Sequence, residues 1–137
     1  YEEVEERALD AINNGEKPPN SLIVIDDVAF SGGLKESERK GTLSRIFCNG
    51  RHINLSIIVT AQKYSQLSTT MRSNCSGAIL FSNSQHEVEA MSMDMNYLET
   101  KRDFVKMFRA TTKGKNKFLV VNFSEDGIYQ DSNFKAL

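Results

Sequence analysis

Residues 21–27 read SLIVIDD: four apolar side chains, at 22–25, run straight into two adjacent aspartates, Asp26 and Asp27. A run without polar alternation is the pattern of a strand covered on both faces, as in a parallel sheet. Carboxylates are costly in such an interior, so the pair is expected to emerge at the strand's carboxyl end with a role there. Downstream, 55–61 (LSIIVTA) is a second uncharged, largely β-branched run that leads into Gln62, and 77–82 (GAILFS) is a third.

Helical spacing fills the intervals. Residues 2–14 place Val4, Ala8, Leu9 and Ile12 on one face, with acids in the first turn and Gly15 past the end, before Pro18 and Pro19 break the pattern. After a turn expected at 31–33 (Ser-Gly-Gly), Leu43, Ile46 and Phe47 mark a second helix, weakened in its middle by Gly41. The polar stretch 65–75 has room for a short helix at most, whereas 84–95 and 98–110 read as two longer ones. KFLVVNF (117–123) and GIYQ (127–130) predict a terminal hairpin turning at 125–127. Strands alternating with helices over 137 residues favour a single α/β domain with a largely parallel, helix-covered sheet.

Composition narrows the functions. Seventeen lysines and arginines against eighteen acids give no global attraction to nucleic acid or membrane, so any such attraction must be local. No run approaches the roughly 18 apolar residues of a spanning helix, and the acidic start is unlike a basic leader; a soluble, non-secreted protein is expected. Cys48 and Cys75 stand apart without C-x-x-C spacing, which fits a reducing compartment and argues against a disulfide framework or a cysteine zinc site. The opening at Tyr1 reads as the middle of something longer.

An apolar strand that ends in two acids matches the second nucleotide motif of P-loop ATPases, where the first acid holds Mg²⁺ and the next orients the attacking water. Asp26 is then the metal ligand and Asp27 the base; the competing reading makes Asp27 a cap for the following turn. If the first two strands are parallel neighbours, Gln62 reaches the same edge, where an amide can sense a γ-phosphate or hold a water, or can simply face solvent. In NGRH a helix ends at Asn49-Gly50 and presents Arg51 at the turn. An arginine there can reach into a neighbouring subunit and stabilise transition-state charge, or lie on the surface.

LIVIDD, followed by NGRHINLSIIVTAQKYSQLSTTMRSNCSGAILFS, resembles the FtsK/HerA superfamily, and most of all the poxvirus-type DNA-packaging ATPases of large double-stranded DNA viruses. The likeness spans 21–82, and its ordered set is more specific than any one part. It implies a RecA-like P-loop NTPase core with the Gln62 strand between the phosphate-loop strand and the aspartate strand. It also implies ATP and Mg²⁺ as cofactors, Asp26 and Asp27 in the magnesium and water roles, Gln62 as γ-phosphate sensor and Arg51 as a finger acting on the next subunit. Arg72 and Asn74 match an R-x-N element expected to contact DNA or a subunit. The implied setting is a homo-oligomeric ring on double-stranded DNA at a capsid or portal vertex, in the host cytoplasm, the viral factory or the virion. Many relatives carry glutamate where Asp27 stands. G-x-x-x-x-G-K-[ST] is absent: at TKGKNK, Asn116 replaces the hydroxyl residue and Arg109 the first glycine. The phosphate loop is therefore expected upstream of residue 1, and the chain alone is expected to be inactive. A cellular or plasmid DNA pump of the same superfamily, or a non-catalytic scaffold of the same shape, are the alternatives.

Arg102, Lys106, Arg109 and Lys113 recur at spacings of four, three and four opposite Phe104 and Phe108, a basic stripe that Lys115 and Lys117 prolong. It reads as a contact for DNA or a subunit, or as a solvated face. Met91, Met93 and Met95 suggest a methionine-lined core or subunit contact. His52 and His86 lack a histidine partner at metal-ligand spacing, Ser31 lacks a nucleophile elbow, and a two-metal nuclease would need acids beyond Asp26 and Asp27.

Overall fold

The acids and small apolar residues at the start form α1 (Glu2–Asn13). Its packed face is Tyr1, Val4 and Ala8, with Ala8 almost wholly buried, while Leu9 and Ile12 stay about half exposed. The expected face is thus rotated toward smaller side chains, which allow the helix to approach its neighbours closely; Leu9 and Ile12 flank the contact. The structure is a computed structural model and describes residues 1–27, 36–123 and 128–137, without the side chains at 36–40, 42 and 128. The turns expected at 31–33 and 125–127 lie outside the described residues.

The chain divides into two compact units, Tyr1–Asn74 and Cys75–Leu137. In the first, β1 (Ser21–Ile25) is followed by α2 (Glu36–Asn49), a 3-10 turn at Gly50–Ile53, and β2 (Leu55–Val59). β1 and β2 pair in parallel, Ser21 opposite Leu55 and Ile25 opposite Val59. Ile23 and Ile57 share one face and close over a core of Ala8, Ile46, Ile53 and Leu55. The other face carries Leu22, Val24 and Ile58, each more than half exposed. An apolar run therefore does not mean burial on both faces here: among the described residues of this unit, the helices pack on the Ile23 and Ile57 side of the pair. A short α3 (Thr69–Ser73), capped by the Ser68 hydroxyl, ends the unit.

The second unit is an antiparallel sheet with two helices. β3 (Gly77–Phe81) pairs with β4 (Phe118–Asn122), and β4 with β5 (Ile128–Gln130). The first two strands thus supply the parallel pairing, and the terminal hairpin recruits the third as its antiparallel neighbour. α4 (Gln85–Met95) and α5 (Lys101–Thr111) start on Ser84 and Thr100, whose hydroxyls accept from the Glu87 and Asp103 amides. Thr100 also donates to the Asp103 carboxylate at 2.6 Å. Phe104 and Phe108, stacked 6.2 Å apart, join Leu119, Val121 and Tyr129 in the interior, each worth roughly 1.5–3 kcal/mol of burial. Met91 and Met95 belong to this core, whereas Met93 is 68% exposed: helical geometry separates what looked like alternation. Among the described residues no helix is long and apolar enough to cross a membrane.

Candidate active site

The parallel register brings the ends of β1 and β2 together, and the backbone pairing continues past the strands, with the Thr60 amide donating to the Ile25 carbonyl at 3.0 Å. At the next residue but one Asp27 turns the chain aside with φ +50°, a left-handed conformation that aspartate tolerates better than most residues. Regular strand geometry would send Asp26 and Asp27 to opposite faces. The turn ends that alternation, and one hydroxyl ties the two residues: Thr60 Oγ1 accepts from the Asp27 amide at 2.8 Å and donates to Asp26 Oδ1 at 2.6 Å. Gln62 Nε2 donates to Asp27 Oδ1 at 3.0 Å.

Asp26, Asp27, Thr60 and Gln62 therefore form one cluster at the carboxyl edge of the parallel pair, the edge where open α/β sheets bind ligands. Sequence reading named three of the four. Thr60 escaped it because threonine is an ordinary strand residue, and only the register shows that its hydroxyl lies between the two aspartates. Both carboxylates are held by neutral donors, and among the described residues neither is ion-paired. Two adjacent negative charges without a protein cation, in an all-oxygen setting, suit a hard cation such as Mg²⁺, which keeps several waters and binds through one or two carboxylates plus substrate phosphates. The described residues contain no cluster of three or more acids, histidines or cysteines, so Asp26 would share the ion with water and phosphate oxygens.

Arg51 is placed elsewhere. Gly50 is buried at the end of α2, where a Cβ would come within 3.2 Å of the Leu55 carbonyl, and Asn54, at φ +53°, closes the 3-10 turn. Asn54 ties the turn to the Pro18 carbonyl at 3.0 Å. This leaves Arg51 exposed at the amino end of β2, the opposite end of the pair from Asp26. Arg72 packs its guanidinium 5.1 Å from the Tyr64 ring centre and Asn74 donates to the Thr70 carbonyl at 2.8 Å, so both shape α3 and its end. Arg102, Lys106, Arg109 and Lys113 belong to the second unit. Burial pushes the Cys75 thiol up from its ordinary pKa, away from the thiolate that nucleophilic or metal chemistry needs.

A parallel pair ending in Asp-Asp and Gln, in a mixed α/β chain with a terminal antiparallel sheet, is the fold that this chain shares with known structures of viral packaging NTPases. The chain is similar to the DNA-packaging ATPase B204 of Sulfolobus turreted icosahedral virus, at 15% identity and a TM-score of 0.61, over 95% of this chain and 57% of that one. It is also similar to the genome packaging NTPase B204 of Sulfolobus turreted icosahedral virus 2 in complex with ATP-gammaS, at 13% identity and a TM-score of 0.59, over 98% of this chain and 59% of that one. It spans about three fifths of the length of these structures. No curated protein matches it. The family model described as Poxvirus A32 protein matches residues 2–135, and the chain belongs to that family.

Proposed function

We propose that this chain is the part of a viral genome-packaging ATPase that carries the magnesium, water-orienting and sensor residues, in a protein that translocates double-stranded DNA into a capsid. The observation that carries the reading is the Asp26–Thr60–Asp27–Gln62 cluster at the carboxyl ends of two parallel strands. Its support is the family match, together with a fold like that of B204, which binds ATP analogues.

Asp27 orients a water for in-line attack on the γ-phosphate and takes up its proton, while Gln62 holds the Asp27 carboxylate and senses the phosphate beside it. Thr60 fixes one oxygen of Asp26 and leaves the other to the ion. Asp26 would hold Mg²⁺, and the ion, when bound, would supply positive charge against that developing on the transferred phosphate. The 137 residues contain no phosphate-loop motif, so the cradle for the triphosphate is supplied by residues outside them, and these residues alone are inactive. The working assembly is a ring of identical subunits, in the host cytoplasm or the viral factory.

The direct test is ATP hydrolysis by the full-length protein that supplies the phosphate loop, with and without duplex DNA. Turnover that rises with DNA is expected; none, with magnesium, nucleotide and DNA all supplied, would overturn the reading in favour of a non-catalytic scaffold. Thr60 provides a finer one. Thr60→Val removes one donor and one acceptor from the aspartate pair and should lower turnover about tenfold, at about 1.4 kcal/mol for the lost positioning. It should also raise the magnesium concentration needed for half-maximal rate, and Thr60→Ser should restore both. A Thr60→Val protein with normal magnesium dependence would show that the hydroxyl does not position Asp26.

A further inference from the structure

We infer that the exposed face of α5, prolonged by Lys113, Lys115 and Lys117, is the surface that holds the phosphate backbone of duplex DNA; this rests on the packaging reading above and assigns its DNA contact. Residues 101–117 carry seven lysines and arginines and one acid, Asp103, which leaves ten basic residues against seventeen acidic ones in the rest of the chain. A chain of nearly neutral total charge thus concentrates its positive charge in one short segment, where it can act on a polyanion that the whole molecule does not attract.

The fold decides that this charge faces outward. Phe104 and Phe108 are buried and fix the roll of α5, so Lys101, Arg102, Lys106 and Arg109 all fall among the exposed positions, with exposed Lys113, Lys115 and Lys117 beyond the helix end. Among the described residues none of the seven lies within ion-pair distance of an acid, and Lys117 alone acts on one at longer range, helping to hold the Asp131 carboxyl below its ordinary pKa. Arg109 donates to the Gln85 side-chain oxygen, a neutral partner that leaves its charge uncompensated. Like charges three and four positions apart weaken a helix, and an ordinary solvated face relieves this with interspersed acids. This one has Asp103 alone, engaged at the N-cap with Thr100.

Shape and spacing fit a strand of phosphates. Within α5, Arg102 to Arg109 covers about 10 Å at 1.5 Å per residue, the axial length of roughly three base-pair steps, and Lys113, Lys115 and Lys117 follow beyond the helix end. Beside the stripe lies an open, largely apolar groove of about 550 Å³ between α4 and α5, floored by Ala90, Met93 and Val105, with Lys101 and Arg102 at its wall. Along the stripe the cations outnumber the amides, of which Asn116 is the one within 101–117, so the contact is chiefly to backbone phosphates and independent of sequence. A motor that moves along any genome requires that kind of contact. The other polyanion available is the acidic face of α1 on a second copy, with Glu2, Glu3, Glu6 and Asp10 exposed.

The experiment is binding of a random-sequence duplex to the full chain, by fluorescence anisotropy over a range of salt. Arg102→Ala with Lys106→Ala should reduce the slope of log K against log salt by about two. Lys115→Ala with Lys117→Ala, outside any helix, should do the same. Arg102→Lys with Lys106→Arg should keep the wild-type slope, as should Lys17→Ala on the first unit. A wild-type slope in both alanine pairs would overturn this inference and leave the packaging reading standing. Absence of DNA binding by the wild type would overturn both. An alanine pair that changes subunit assembly but not the salt slope would assign the face to a neighbouring copy, against the inference.

Discussion

Asp27→Asn in the full-length protein that supplies the phosphate loop is expected to lower the ATP turnover number about 10²- to 10⁴-fold, the range for loss of a positioned general base. The structure makes this a clean substitution. Residue 27 sits at φ +50°, where asparagine is tolerated as well as aspartate. Its amide would keep the bond to Thr60 Oγ1, and its side-chain oxygen could still accept from Gln62 Nε2. Only the negative charge and the basicity disappear. Steady-state kinetics should therefore show the loss in kcat, with little change in KM for ATP and an unchanged melting temperature. Undiminished turnover would remove Asp27 from the water-orienting role and leave it as a turn residue.

The second large effect concerns Arg51. β1 has five residues, so at about 3.3 Å per residue its first and last Cα atoms are roughly 13 Å apart. Arg51 lies beyond the amino end of the pair and Asp26 beyond the carboxyl end, too far for Arg51 to serve its own cluster. A finger supplied to the next subunit meets that geometry, and Arg51→Ala should then reduce turnover about 10³- to 10⁵-fold. Mixing separates the two roles. Arg51→Ala subunits keep their own Asp27, and Asp27→Asn subunits keep their own Arg51, so a mixed ring regains activity at interfaces that combine the intact halves. If two inactive proteins stay inactive after demonstrated mixing, Arg51 does not act on a neighbour.

Much of the cluster was legible because its parts are chemically unusual where they stand. Two aspartates after four aliphatic residues invite an explanation, and a glutamine after an uncharged strand invites the same one. Thr60 was not legible, since nothing in its local sequence separates it from any other strand threonine. The packed face of α1 differs from expectation for a related reason: Leu9 and Ile12 are more apolar than Ala8, but the smaller residue permits the closer contact. The methionines show the same limit, with Met91 and Met95 a helical turn apart in the core and Met93 outside it.

The sequence by itself determined the order of strands and helices, the acids at the end of β1, the basic segment at 101–117 and the membership of the Poxvirus A32 family. These are properties of local composition and of spacing along one chain. Only the tertiary structure decided that Asp26, Asp27, Thr60 and Gln62 are hydrogen-bonded neighbours, that Arg51 stands at the other end of the strands, and that β3 pairs antiparallel with β4. The physical reason is register. Residues about 35 positions apart meet only because Ile25 pairs with Val59, and a slip of one residue would carry every side chain of the strand to the opposite face.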